Sequence, residues 1–168
     1  SYKSQHLCGL NRPGHFDGVL TIVNRLFDLV KPTRAIFGKK DYQQLLLISD
    51  FVKENNLPIN IIGSEIVRDQ SGLALSSRNN HLSADEKKLA SNLYKTLKII
   101  ANKGNKLTNN DIINEKNRLL ELGFSIDYLN VCNPQELSKE SNYNIRPLIV
   151  AIAAHIGEIR LIDNILIT

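Results

Sequence analysis

Methionine and tryptophan are absent from this 168-residue sequence, and aromatic residues make up only 6% of it. A chain without methionine has no initiator of its own, so it is expected to be a piece of a longer product. So few aromatics supply little material for base-stacking platforms, which ranks a nucleic-acid-binding module low. Cysteine is nearly absent too. Cys8 and Cys132 stand far apart and no CxxC occurs, which excludes a disulfide framework or a zinc cluster of closely spaced thiols. Both are expected to be free thiols in a reducing compartment, the cytoplasm. The histidines His6, His81 and His155 follow no ligand spacing, so no metal site is proposed from them. No apolar run reaches the length of a membrane span, and no apolar leader opens the sequence.

What is present is ordinary for a globular chain. Hydrophobic residues are 42% and charged residues 23%, and the length allows one domain with a real core or two small ones. The formal net charge of +4 suits an anionic partner such as a nucleotide, a phosphate or an acid. The lysines are dispersed, so a merely solvated basic surface fits as well.

Hydrophobic spacing divides the chain. Residues 1–12 show no periodicity and read as a lead-in. From Gly18, the residues Val19, Ile22, Val23, Leu26, Phe27 and Val30 recur at helical spacing, and Lys31-Pro32 ends that helix. Ala35–Phe37 is a strand stopped by Gly38. Asp41 to about Asn55 reads as a helix, and Ile59–Ile62 as a second strand. Two strands joined by a helix make a parallel pair, half of a nucleotide-binding type of sheet. Glu65–Val67 reads as a further short strand and Asp69–Gly72 as a turn. Ser83 and Glu86 form a capping box for a helix running to about Asn102. A helix over Asn109–Leu122 stops at Gly123. Strands follow over Ser125–Val131, Leu148–His155 and Arg160–Ile167. The expected architecture is α/β: the second part of a Rossmann-like parallel-sheet domain over 1–67, then a small α+β domain with an antiparallel sheet over 68–168.

Three segments carry candidate chemistry. In Phe37-Gly38-Lys39-Lys40-Asp41-Tyr42-Gln43-Gln44, the turn lies at the carboxyl end of a parallel strand, where open α/β sheets bind ligands. Gly38 lets backbone approach a ligand. Lys39 and Lys40 bring charge to phosphates, Asp41 accepts from ribose hydroxyls, and Gln44 lies one turn on. Asp41 and Gln44 equally fit a helix capping box, with the lysines as surface charge. In Gly72-Leu73-Ala74-Leu75-Ser76-Ser77-Arg78-Asn79, two hydroxyls and a guanidinium suit a triphosphate, and a polar turn is the plainer alternative. In Arg12-Pro13-Gly14-His15-Phe16, Arg12 is a possible anion contact at a helix start, and His15 suits a core or capping role.

The order and spacing of RPGHFDGVLTIV, FGKKDYQQLLLI and DQSGLALSSRNNHLS, closed by LIVAIAAHIGEIRLIDN, resemble the pantoate–β-alanine ligase (pantothenate synthetase) family from about Arg12 to Asn164. The resemblance implies an ATP-dependent carbon–nitrogen ligase. Pantoate and ATP, with Mg²⁺, would give pantoyl adenylate and pyrophosphate, and β-alanine would then displace AMP to give pantothenate. It further implies that Gly38, Lys39, Lys40, Asp41, Val67, Leu75, Ser76, Ser77 and Arg78 bind ATP, with Lys40 and Arg78 catalytic. Gln44 would hold pantoate, Val67 would offer backbone to adenine, and residues 75–78 would close over the phosphates. A homodimer is implied for the full-length enzyme, with neither nucleic acid nor membrane as partner. Two departures stand out. The family usually has an acid where Lys39 stands, and its HxGH-type histidine motif, expected upstream of Ser1, is missing, so this chain alone is expected to be incomplete for activity. Another adenylyl-transferring enzyme of the same fold is the alternative, and Gln44 discriminates against it.

Overall fold

A computed structural model describes residues 2–168. The chain divides into two compact units, Ser1–Ile66 and Val67–Thr168.

The first unit opens with a 3-10 turn at Tyr2–Gln5 and a single turn of helix, α1 (Cys8–Asn11), in the stretch where no periodicity was expected. The buried amide of Gln43 organises it. Its Nε2 donates to the carbonyls of Lys3 and His6, both at 2.7 Å, and its Oε1 accepts from the Cys8 N–H at 3.0 Å. Partners supplied from 35 to 40 residues away leave no local signal. Helix α2 (His15–Val30) starts three residues before the expected Gly18, on a left-handed Gly14. Strand β1 (Arg34–Gly38) leads through a 3-10 turn at Lys39–Asp41 into α3 (Tyr42–Glu54), which returns the chain to β2 (Asn60–Ser64). The two strands pair in parallel, Arg34 with Asn60 through Gly38 with Ser64. Phe27, Ile48 and Val52 form the centre of this unit's core, with Ala35, Phe37, Ile59 and Ile61 packed against it from one face of the sheet.

Glu65–Val67 is not a strand. The chain there is irregular, and pairing resumes only at an isolated bridge between Arg68 and Ala74. Apolar residues alone do not make a strand without a neighbour to complete the ladder.

In the second unit the expected single helix over 83–102 is two, α4 (Ala84–Ala90) and α5 (Asn92–Asn102). The Ser91 hydroxyl donates to the Lys88 carbonyl at 2.7 Å and the Asn92 amide to the Leu89 carbonyl at 2.9 Å. Such side chains compete with the helical ladder and open it. The capping box of Ser83 and Glu86 forms as read, and Thr108 with Asp111 makes a second one for α6 (Asn109–Glu121). Gly123, at φ +92°, then permits the left-handed turn that ends α6. Strands β3 (Ser125–Cys132), β4 (Leu148–Ile156) and β5 (Ile159–Ile167) form an antiparallel sheet in that order. Helix α5 lies against β4 and β5, and α6 against β3. Leu93, Leu97 and Ile100 recur at helical spacing on α5 and join Leu119, Leu148, Val150 and Ile152 in one core. Cys8 and Cys132 are buried, and neither forms a disulfide among the described residues.

Candidate active site

The first unit positions two of the chemical segments and the second unit one, and they are built differently. In the first unit, the 3-10 turn at Lys39–Asp41 leaves β1 at its carboxyl end. Gly63, on the neighbouring β2, provides the space this turn uses: a Cβ there would stand 3.0 Å from Leu45 and 3.2 Å from the Lys39 stem. The Lys39 chain lies across that gap and pairs its ammonium with Glu65. Lys40 approaches the Asp41 carboxylate to 4.0 Å, with its own side chain largely buried.

The capping alternative for Asp41 and Gln44 is not realised. Asp41 occupies the N-cap of α3 without any side-chain cap bond, and half of its side chain is exposed. Gln44 is half-buried, and its neighbour Gln43 is the glutamine used structurally. Tyr42, close by in the chain, has its hydroxyl pKa pushed up by burial, with Lys39 and Lys3 acting in the opposite sense. Arg12 directs Nη1 at His15 Nε2, 3.0 Å away. A guanidinium only donates, so that ring nitrogen accepts. Arg12 lines a hollow of about 450 Å³ with Gln5, Gly14 and Phe16.

In the second unit the loop begins as a tight hairpin. The Leu75 N–H donates to the Val67 carbonyl at 2.9 Å and the Asp69 N–H to the Leu73 carbonyl at 3.0 Å. The Asp69 carboxylate closes the turn. Its Oδ1 accepts from Ser71 N–H, the Ser71 hydroxyl and Leu73 N–H at 2.8, 2.6 and 3.0 Å. These bonds, the Ser71 hydroxyl first, hold its pKa below the usual carboxylate range. Arg68 fixes the hairpin to the unit's core. Its guanidinium grips the buried Asp163 with two bonds of 2.6 and 2.9 Å, bonds the Gly72 carbonyl at 3.1 Å, and stacks 3.7 Å from the centre of the Tyr94 ring. Gly72, at φ +90°, presses on that ring: an added Cβ would come within 2.6 Å. Sequence reading missed this assembly, because Arg68 and Asp163 are 95 residues apart. The one available signal was an arginine directly before a glycine-containing turn.

Beyond the hairpin, Ser76 caps a 3-10 turn over Ser77–His81 by accepting from Arg78 N–H at 3.3 Å. Asn79 is buried and donates to the Ala74 carbonyl at 3.0 Å. Arg78 and Ser77 are exposed, and the Arg78 guanidinium has no hydrogen-bond or ion-pair partner among the described residues. Ser76 and Ser77 open onto a cleft of about 550 Å³, whose other walls are Asp69, Leu73, Leu75, Asn79, Asn80 and Lys87. Chemically, these are one glycine turn with cations at a strand end, and one hydroxyl-rich loop with an unpaired guanidinium.

The family model for pantoate–β-alanine ligase matches residues 1–166. The chain belongs to the pantoate–β-alanine ligase family. It is 45% identical over 167 residues to a pantothenate synthetase of Ectopseudomonas mendocina, covering 98% of this chain and 58% of that protein. With the pantothenate synthetase of Acinetobacter baylyi the identity is 46% over 163 residues, covering 95% and 57%. A crystal structure of the Thermus thermophilus pantothenate synthetase superimposes with a TM-score of 0.92 at 38% identity, covering 98% of this chain and 60% of that one. A Francisella tularensis pantoate–β-alanine ligase, solved in complex with beta-gamma ATP and β-alanine, matches at TM-score 0.78 and 32% identity, covering 99% and 56%. The chain thus spans 57–58% of the length of these two curated relatives. The fold is that of an α/β nucleotidyltransferase-like ligase with a small C-terminal domain, and the family's members are ATP-dependent ligases. Among the described residues, no helix is long and apolar enough to cross a membrane.

Proposed function

We propose that this chain forms the ATP-handling part of an enzyme that condenses pantoate with β-alanine through pantoyl adenylate. The observation that carries this reading is that two motif residues, Asp41 and Arg78, lack the structural role that their plainer readings would give them. Asp41 makes no cap bond, and Arg78 stands exposed without a side-chain partner among the described residues.

The reaction follows from that chemistry. A pantoate carboxylate oxygen attacks the α-phosphorus of ATP, and the bond to the β-bridging oxygen breaks, releasing pyrophosphate. The β-alanine amine then attacks the acyl carbon, AMP leaves and the amine proton passes to solvent. In the first step two anions must meet, so the barrier falls where fixed cations and donors await the developing charge. Lys40 and Arg78 supply those cations. The Ser76 and Ser77 hydroxyls donate to phosphate oxygens, the exposed Gly38 backbone admits the nucleotide, and Asp41 accepts from ribose. Val67 has its carbonyl engaged by Leu75, so its N–H is the group it offers to adenine. Lys39, tied to Glu65, contributes through backbone and charge. Gln44 holds pantoate, and magnesium enters on ATP as part of the substrate. By family likeness the assembled enzyme is a cytoplasmic homodimer.

The test is pyrophosphate release from ATP and pantoate in the enzyme that contains this chain. Lys40→Ala and Arg78→Ala should each lower the rate about 100- to 1,000-fold, while Gln44→Ala should raise the KM for pantoate. Near-normal turnover in both cation variants would overturn the assignment.

A further inference from the structure

The hairpin of the second unit joins two segments to which the reading above gives different parts of one nucleotide, Val67 for adenine and residues 75–78 for the phosphates. Resting on that reading, we infer that Tyr94, acting with Arg68 and Asp163, is a positioning residue for ATP: its ring holds the hairpin as a fixed spacer, so that base and phosphates are recognised together.

The spacer begins in the backbone. The Leu75 N–H donates to the Val67 carbonyl at 2.9 Å, and Arg68 pairs with Ala74 in an isolated bridge. The two ends of the hairpin are therefore neighbours. From Leu75 to Arg78 the chain can extend by at most about 11 Å. The groups assigned to adenine and those assigned to phosphate thus start side by side and diverge by about the reach of a nucleoside.

A two-stranded ribbon this short does not hold its own orientation. Arg68 supplies the tie. Its guanidinium bonds both Asp163 oxygens, the Gly72 carbonyl at 3.1 Å and the Asn164 carbonyl at 3.3 Å, which links the tip of the hairpin to β5. Tyr94 supplies the platform. Leu93, Leu97 and Ile100 anchor α5 in the core, and the half-buried Tyr94 turns its ring to the hairpin instead. Arg68 lies 3.7 Å from the ring centre. Gly72 lies so close that an added Cβ would stand 2.6 Å from Tyr94 Cδ1. One ring therefore meets the hairpin near its base and at its tip. A ligand that touches both ends of a rigid frame gains from their fixed spacing, and a ligand that touches one end does not.

The experiment measures kcat and KM, and inhibition by adenosine and by inorganic tripolyphosphate, in the enzyme that contains this chain. Each inhibitor reaches one end of the hairpin, and ATP reaches both. Tyr94→Leu should raise the KM for ATP about tenfold. Inhibition by each fragment and the KM for pantoate should change less than about twofold. Tyr94→Phe keeps the ring and should restore the KM for ATP. Arg68→Lys keeps a charge opposite Asp163 but loses the planar fork, and should raise the KM for ATP as well. KM does not depend on how much of the enzyme is folded, so a ring that served stability alone would lower kcat and leave every KM in place. That result, equal weakening of ATP and its two fragments, no inhibition of the unchanged enzyme by either fragment, or no restoration by Tyr94→Phe would each overturn the inference. Failure of the underlying reading looks different: Lys40→Ala and Arg78→Ala would then keep near-normal turnover. If only this inference fails, those two variants lose turnover while Tyr94→Leu leaves the KM for ATP unchanged.

Discussion

Between Val67 and Thr168 one continuous core surrounds a three-stranded sheet, with Leu97, Ile100, Leu119, Val150 and Ile152 fully buried. Between Ser1 and Ile66 the buried centre is Phe27, Ile48 and Val52, and much of the remaining apolar surface is open. Ile22, Leu29 and Val30 on α2 and Ile36 on β1 are each 64–69% exposed. Parallel sheets are normally covered on both faces, and Ile36 leaves one face of this pair open in a chain that spans 57–58% of the length of the two curated relatives. The two chemical segments inherit that difference. The turn at Lys39–Asp41 is braced by an exposed ion pair, whereas the hairpin over residues 67–75 is bolted through Arg68 to a buried carboxylate. The glycine turn therefore has the softer brace, and the serine-arginine loop starts from the firmer one.

The largest test of this contrast removes each brace. Arg68→Ala removes the two-bond ion pair to Asp163, which is 4% exposed, and should cost about 3–5 kcal/mol. Lys39→Ala removes a pair whose Glu65 is 83% exposed, and should cost no more than about 1 kcal/mol. Urea melts of both variants measure the difference, and equal costs would break the comparison. A smaller effect separates the two motif glycines. Gly72→Ala meets the Tyr94 ring in a left-handed backbone and should cost about 1–3 kcal/mol. Gly38→Ala finds open space at an ordinary φ of −70°, so its stability should stay within about 0.5 kcal/mol while nucleotide affinity falls. Such a variant isolates the ligand contact from the fold.

The smallest effect is one of pH. Asp69, Glu86 and Asp111 all have lowered carboxyl pKa values in the second unit, each led by a hydrogen bond from a neighbouring side chain or backbone. For Asp111 the value is about 2, through Lys103 first and Thr108 next. A folded pKa below the unfolded one stabilises above the ordinary carboxylate range, near about 4, and that contribution is lost as pH falls through the folded value. The caps of α4 and α6 should therefore survive to below about pH 4 and fray as the pH falls further, toward about 2 for the α6 cap. Amide NMR of Ser83–Glu86 and Thr108–Asp111 follows that change. Fraying on raising the pH instead would contradict the sign.

Much of the architecture could be read from local pattern. The strand–turn–helix–strand order of the first unit, the proline and glycine stops after α2 and α6, and the Ser83–Glu86 box depend on spacing and on bonds over three or four residues. The paired motifs also carried the family. Other features were closed to that reading. The helical break at Ser91 depends on which competing bond wins, and the irregular course of Glu65–Val67 depends on where pairing resumes, at the Arg68–Ala74 bridge. The use of Gln43 rather than Gln44 as the structural amide depends on Lys3, His6 and Cys8.

The glycine-lysine turn at residues 38–41 and the Ser76-Ser77-Arg78 run were set by the sequence alone, because turn chemistry and charge are written in adjacent residues. Tertiary structure alone decided how those segments are braced. Arg68 meets Asp163 and Tyr94, and Lys39 crosses Gly63 to reach Glu65, only after the strands have paired and α5 has packed. Bonds between residues far apart in sequence acquire their partners from the packed chain, so no local pattern could announce them.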